Sequence, residues 1–146
     1  MFNAPSLMAR IAIGKLVGFI FGASAFIFVP LFMPEASQRL IWAFFFWYIT
    51  FGAIIGAFGV MGKIPVINIT LPWWFRGAYI GAWLNLVLTL FIYDQLLLLM
   101  QGMFGADSLL SSPFWLVLEG LIVGFVVDYF ATKYGGEGPQ IMNNDS

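Results

Sequence analysis

Four long apolar stretches dominate the chain, at 11–33, 40–62, 77–100 and 113–132. A helix needs about 20 mostly apolar residues to cross roughly 30 Å of hydrocarbon. Each stretch has that length, and none shows the strict alternation of a strand. In lipid only helices and closed barrels satisfy their own backbone hydrogen bonds. The pattern predicts an all-α membrane protein, a bundle of four transmembrane helices. The first stretch is expected to remain as a span. Its uncharged run from Leu16 is longer than a signal-peptide core, and Phe32-Met33-Pro34-Glu35 offers no small-x-small cleavage site.

The intervals between the spans are short. Residues 34–39 read as a tight turn. In 63–75, Pro65 and Pro72 bracket an apolar run, so a continuous helix through it is not expected. Segment 64–72 is then either extended in the membrane interface or re-entrant and lining a cavity. Residues 101–112 carry Gly102, Gly105, Asp107 and three serines and read as a polar loop. The glycine-rich run 135–146 reads as a flexible cytoplasmic tail. Residues 1–134 are expected to form one four-span domain.

Within the spans, small residues recur every fourth position: Gly14, Gly18 and Gly22; Gly52 and Gly56; Gly77 and Gly81; Gly120 and Gly124. Residues four apart share a helix face. Glycine there lets two backbones approach closely, which drives association when lipid removes the hydrophobic force. This small-xxx-small pattern predicts tight packing, with faces left for self-association. The third and fourth spans share more. Arg76-Gly77-x-x-x-Gly81-x-x-x-Asn85-x-x-x-Thr89 matches Glu119-Gly120-x-x-x-Gly124-x-x-x-Asp128-x-x-x-Thr132 at one constant offset. The two spans run in opposite directions, so this is a candidate inverted repeat. Placing Arg76 and Lys133 at one boundary sets Gly81 level with Asp128, Asn85 with Gly124 and Thr89 with Gly120.

Composition narrows the class. The chain is 62% hydrophobic and 9% charged, against about 25% charged in a soluble domain. A soluble domain, a disordered chain and a nucleic-acid partner are excluded on that ground. There is no cysteine and no histidine, so the usual thiol nucleophile, general base and soft metal ligands are missing. No metal, no cofactor and no catalytic residue is expected. The cations are sorted: Arg10, Lys15, Lys63, Arg76 and Lys133 fall on one side of the four spans, and Arg39 alone on the other. By the positive-inside rule both termini face the cytoplasm, as expected for a prokaryotic cell membrane. Trp73, Trp74 and Phe75 read as an aromatic belt, with Trp42, Trp47, Tyr48 and Trp115 serving the outer edge.

Ionisable residues inside a span are costly, and their first reading is functional. Glu119, Asp128 and Asp94 qualify, with Asn85 near mid-depth. Asp128 also reads as an anchor paired with Arg76, Lys15 or Lys133. Asp94 marks the outer interface if 96–104 lies flat. Glu119 has no cation on its own helix and is the candidate proton or cation site. Two functions remain. One is a non-enzymatic subunit that packs with itself or with a larger membrane complex, its surroundings being the lipid bilayer. The other is an oligomeric channel or transporter for protons, cations or a small solute.

Overall fold

The computed structural model describes residues 5–61, 63, 69–138 and 140–141. Among these the fold is all-helical: α1 (Leu7–Phe32), α2 (Gln38–Phe58), α3 (Trp73–Phe91), α4 (Tyr93–Phe104) and α5 (Trp115–Gly135), with one 3-10 turn at Leu109–Ser111. No strand forms among them, and one isolated bridge joins Lys63 to Thr70. Segment 64–72, read as interfacial or re-entrant, falls largely on 64–68, outside the described residues.

Local chemistry sets several boundaries. The Ser6 hydroxyl accepts from Ala9 N at 3.0 Å and opens α1. Ser37 does the same for α2, accepting from Leu40 N at 3.2 Å. Pro30 sits in the last turn of α1, which ends two residues later. Gly105 and Gly136 close α4 and α5 with φ of +88° each, a backbone region that L side chains disfavour.

Three helices are long and apolar enough to cross a membrane: α1, α2 and α5. The stretch 77–100 is not the single straight span that its hydropathy predicts. It breaks at Ile92, and α3 and α4 meet at 101°. Together they are either a broken fourth span or a re-entrant segment, so the described residues hold three to four candidate spans. Ile92 takes φ −124° and ψ 36°. Its N–H still closes α3 on Leu88 O at 3.1 Å, while its carbonyl accepts from Leu96 N at 3.0 Å to start α4. The bend therefore breaks the axis while keeping these flanking bonds. No proline or glycine marks it in sequence. The contacts of α4 do: Leu96 is buried, and Gly102 lies against the Phe32 carbonyl of α1.

The helices pair through their glycines. A Cβ at Gly14 would collide with the Gly52 carbonyl, and one at Gly52 with the Gly14 carbonyl. A Cβ at Gly18 would strike the Tyr48 carbonyl, and one at Gly56 would lie 2.5 Å from the Arg10 carbonyl. In the second pair, α3 with α5, Gly77 and Gly124 face each other, as do Gly81 and Gly120. These ladders are spent inside the chain, not left on an outer face. The α3/α5 register also differs from expectation by about one helical turn. Gly77, not Gly81, lies against Asp128, and Gly120, not Gly124, receives Asn85. Arg76 and Lys133 do not share a level. Arg76 is turned inward, while Lys133 lies outside over the rings of Tyr129 and Tyr134, 5.6 and 5.4 Å from their centroids.

The start of α1 and the end of α5 lie together, with Ser6 N donating to Gly135 O at 3.1 Å. Beyond α5 the chain keeps contact with the bundle: Gly138 packs on Val60, and Ile141 is buried. Large apolar side chains, by contrast, cover the outside. Phe91 is 82% exposed, Ile27 68% and Leu90 64%.

Candidate functional site

Two polar nodes lie inside this apolar exterior. The first is at the end where the start of α1 meets the end of α5. Asp128 of α5 holds two arginines. Arg76 is bidentate, with Nε 3.0 Å from Oδ2 and Nη2 3.2 Å from Oδ1. Arg10 Nη2 lies 2.6 Å from Oδ1. Arg10 and Asp128 are both 0% exposed. The Arg10 guanidinium is otherwise committed: Nε donates to Gly56 O at 3.1 Å, and Nη1 donates to Thr132 Oγ1 at 3.1 Å and to the Gly136 carbonyl. One side chain thus links α1, α2, α5 and the segment after α5. Glycines make the room. A Cβ at Gly59 would strike the Arg10 guanidinium, one at Gly135 would sit 2.6 Å from Arg10 Cγ, and one at Gly77 would strike Asp128 Cβ.

Two like charges on one carboxylate leave an excess positive charge at this node. The donors are nonetheless satisfied, since no buried side-chain nitrogen or oxygen among the described residues lacks a partner. Saturated in this way, the node is built for holding helices together and has no open ligand position.

The second node is centred on Glu119. Its Oε2 accepts from Tyr48 OH at 2.6 Å and from Asn85 Nδ2 at 2.8 Å. Asn85 Nδ2 also donates to Leu116 O at 3.0 Å, and its Oδ1 accepts from Trp47 Nε1 at 3.1 Å. Thr89 Oγ1 donates to Asn85 O at 2.7 Å. Gly120 is what admits Asn85, because a Cβ there would lie 2.6 Å from the Asn85 Cβ. Three helices therefore converge on one carboxylate oxygen. The other, Oε1, takes no hydrogen bond from the described residues.

Glu119 also lines a cavity of about 680 Å³, walled by α1, α2, α4 and α5. Phe21, Phe44, Leu96, Leu99 and Met100 supply much of the wall, and among the described residues Glu119 is the only charged side chain on it. The α4 residues Leu96, Leu99, Met100, Met103 and Phe104 close one side. Roofing of this kind requires the bend at Ile92.

The residues singled out from sequence thus divide. Asn85 and Glu119 meet in one node, and Arg76 and Asp128 in the other. Asp94 joins neither: it is exposed in the first turn of α4 and makes no ion pair among the described residues. Trp47 and Tyr48 do not serve an outer aromatic belt, because both turn inward onto Asn85 and Glu119. Two participants went unread, Arg10 and Tyr48. Their signal was phase. Arg10 continues the ladder Gly14, Gly18, Gly22 by one step, and Tyr48 precedes Gly52 and Gly56 by one step. A polar residue in phase with a glycine ladder faces the partner helix with the glycines. Among the described residues no three carboxylates converge as a metal site would need.

No protein-family model matches the chain, and comparison with curated proteins and with solved structures finds no significant match. The functional reading rests on these nodes.

Proposed function

We propose that this chain is a four-span integral membrane protein of the transport class, a channel or transporter for a proton, a cation or a small solute, and not an enzyme. Its bent α3–α4 pair counts as the third span. Both termini lie on the cytoplasmic side of a prokaryotic cell membrane. The membrane assignment is supported by the inverted surface: phenylalanine, leucine and isoleucine outside, arginine, aspartate and asparagine inside. The orientation is supported by the sorted cations. The α3/α5 contacts suit an inverted repeat. Under the constant offset, the Gly77–Gly124 contact maps onto the Gly120–Gly81 contact.

One observation carries the transport reading. Glu119 stands on the wall of a roomy apolar cavity with one carboxylate oxygen fixed by Tyr48 and Asn85 and the other unclaimed. A structural carboxylate at this depth would be expected to resemble Asp128, with both oxygens engaged by cations. Reconstituted in liposomes, the protein should pass protons or a small cation down an imposed gradient, and Glu119→Gln should bring the flux to background. Flux indistinguishable from empty liposomes in the wild type would sink this reading.

A second reading, a non-enzymatic subunit packing with itself or with a larger membrane complex, is favoured by one feature. Phe19, Phe26, Trp42, Phe45 and Phe46 form a continuous edge-to-face and stacked cluster on the α1/α2 hairpin. Aromatic ridges of this kind suit a protein neighbour as well as lipid. Native purification yielding only a monomer would remove that support.

A further inference from the structure

We propose that the cavity beneath α4 binds a lipophilic organic cation, its charge beside Oε1 of Glu119 and its apolar body along Phe44, Leu96, Leu99 and Met100. The inference rests on the transport reading of Glu119 and names its substrate class.

Size comes first. About 680 Å³ falls inside the roughly 300–1,000 Å³ range of small-molecule sites. Charge comes second. No lysine or arginine lines the cavity, and the two buried arginines are committed to Asp128. Among the described residues Glu119 is therefore offset only by hydrogen-bond donors, and an anion in this low-dielectric space would meet a carboxylate head-on. Coordination comes third. A hard metal cation needs about six oxygen ligands. Here the Ser24 hydroxyl is spent on Phe21 O at 2.6 Å and the Tyr48 hydroxyl on Glu119 at 2.6 Å. What the wall offers in their place is soft: the rings of Phe21, Phe28, Phe44 and Trp115, and the thioethers of Met100 and Met103. Ring faces attract diffuse organic cations, and methionine moulds to varied shapes. Access comes last. Ile20 and Phe28 line the cavity and are also 63% and 51% exposed, so it opens sideways between helices. A ligand already dissolved in the bilayer can reach Glu119 without crossing water.

The test uses the full chain in detergent, with tetraphenylphosphonium as probe and tetraphenylborate as its counterpart of like shape and opposite charge. Equilibrium dialysis should show one phosphonium bound per chain, with the borate failing to compete. Glu119→Gln should weaken phosphonium binding roughly thirtyfold or more, the effect of removing one partner of a desolvated charge pair. Leu99→Trp fills the cavity from α4 while leaving Glu119 intact, and should also abolish binding. Borate binding as tight as phosphonium, or full affinity in Glu119→Gln, overturns the assignment. A Glu119-dependent proton flux in liposomes without phosphonium binding overturns this ligand class and leaves the transport reading standing. Glu119-dependent phosphonium binding with no flux of any kind supports the ligand class and overturns transport.

Discussion

Asp128 is bound by two buried arginines, and removing it leaves both without a counter-charge. Breaking a buried pair by taking one partner costs about 3–5 kcal/mol. Asp128→Ala should therefore lower stability in detergent by at least that range, measured by chemical denaturation. If it melts like the wild type, Asp128 does not hold the bundle. Glu119 should behave in the opposite way. Its partners are the neutral groups of Tyr48 and Asn85, so Glu119→Gln should cost about 1 kcal/mol or less while affecting flux and binding strongly. Both carboxylates lie on α5, and the sequence offers Asp128 cations to pair with and Glu119 none nearby. What it does not give is which side chains from other helices arrive, because that depends on register.

The glycine ladders work by steric exclusion. At Gly81 a Cβ would strike the Gly120 carbonyl and come within 2.9 Å of Gly124 Cα, both backbone atoms that cannot turn aside. Gly81→Leu should cost roughly 3 kcal/mol or more, at or above the top of the usual range for overpacking, and should separate α3 from α5. Gly105 is the contrasting case. It has nothing within 4 Å of an added Cβ but a φ of +88°. Gly105→Ala should cost about 1–3 kcal/mol through backbone strain alone, because φ +88° with ψ 150° is occupied essentially by glycine. A scan in which both variants lose equal stability would contradict this division. The ladder positions were legible in the sequence because a four-residue spacing defines one helix face. Their partners were not, because such spacing leaves neighbouring registers nearly equivalent. In the register observed Arg76 is bidentate on Asp128 while Asn85 reaches Glu119. The bend at Ile92 was only half legible. Asp94 and Gln95 allow 96–104 to lie flat, but no proline or glycine breaks the helix, and α4 is turned where it packs against α1 and the 3-10 turn.

Taken whole, the bundle is two glycine-paired hairpins fastened at one end by Arg10 and separated at the other by a cavity that α4 covers. Gly102 of α4 lies against the Phe32 carbonyl of α1. The chain has no native cysteine, so introduced thiols report without background. A Cβ at Gly102 would strike the Phe32 carbonyl, so Gly102→Leu should lift α4 from α1 and open the cavity. A thiol introduced at Leu99, a cavity residue of α4, should then react faster with a thiol reagent than the same thiol in a chain that keeps Gly102. Equal reactivity would mean that this contact does not hold α4 in place. Orientation has its own measurement. A cysteine placed at Glu137 should be labelled by an impermeant thiol reagent only after the membrane is opened, and labelling of intact cells would refute cytoplasmic termini.

Composition and periodicity were enough to establish long apolar helices, scarce and sorted charges, close helix contact at named glycines, and a short set of polar positions worth testing. These are local properties, fixed by side-chain chemistry and the geometry of a single helix. Tertiary packing supplied the rest. It slid α3 by a turn along α5, folded α4 over the bundle, and brought Arg10 and Tyr48 from distant helices to the two carboxylates. Depth in the membrane, which a sequence can estimate, already separated Asp128, near the cations of one boundary, from Glu119, with no cation nearby, but it did not name the side chains that meet them. The partners that reach them made one a fastening and left the other an oxygen open to a cavity.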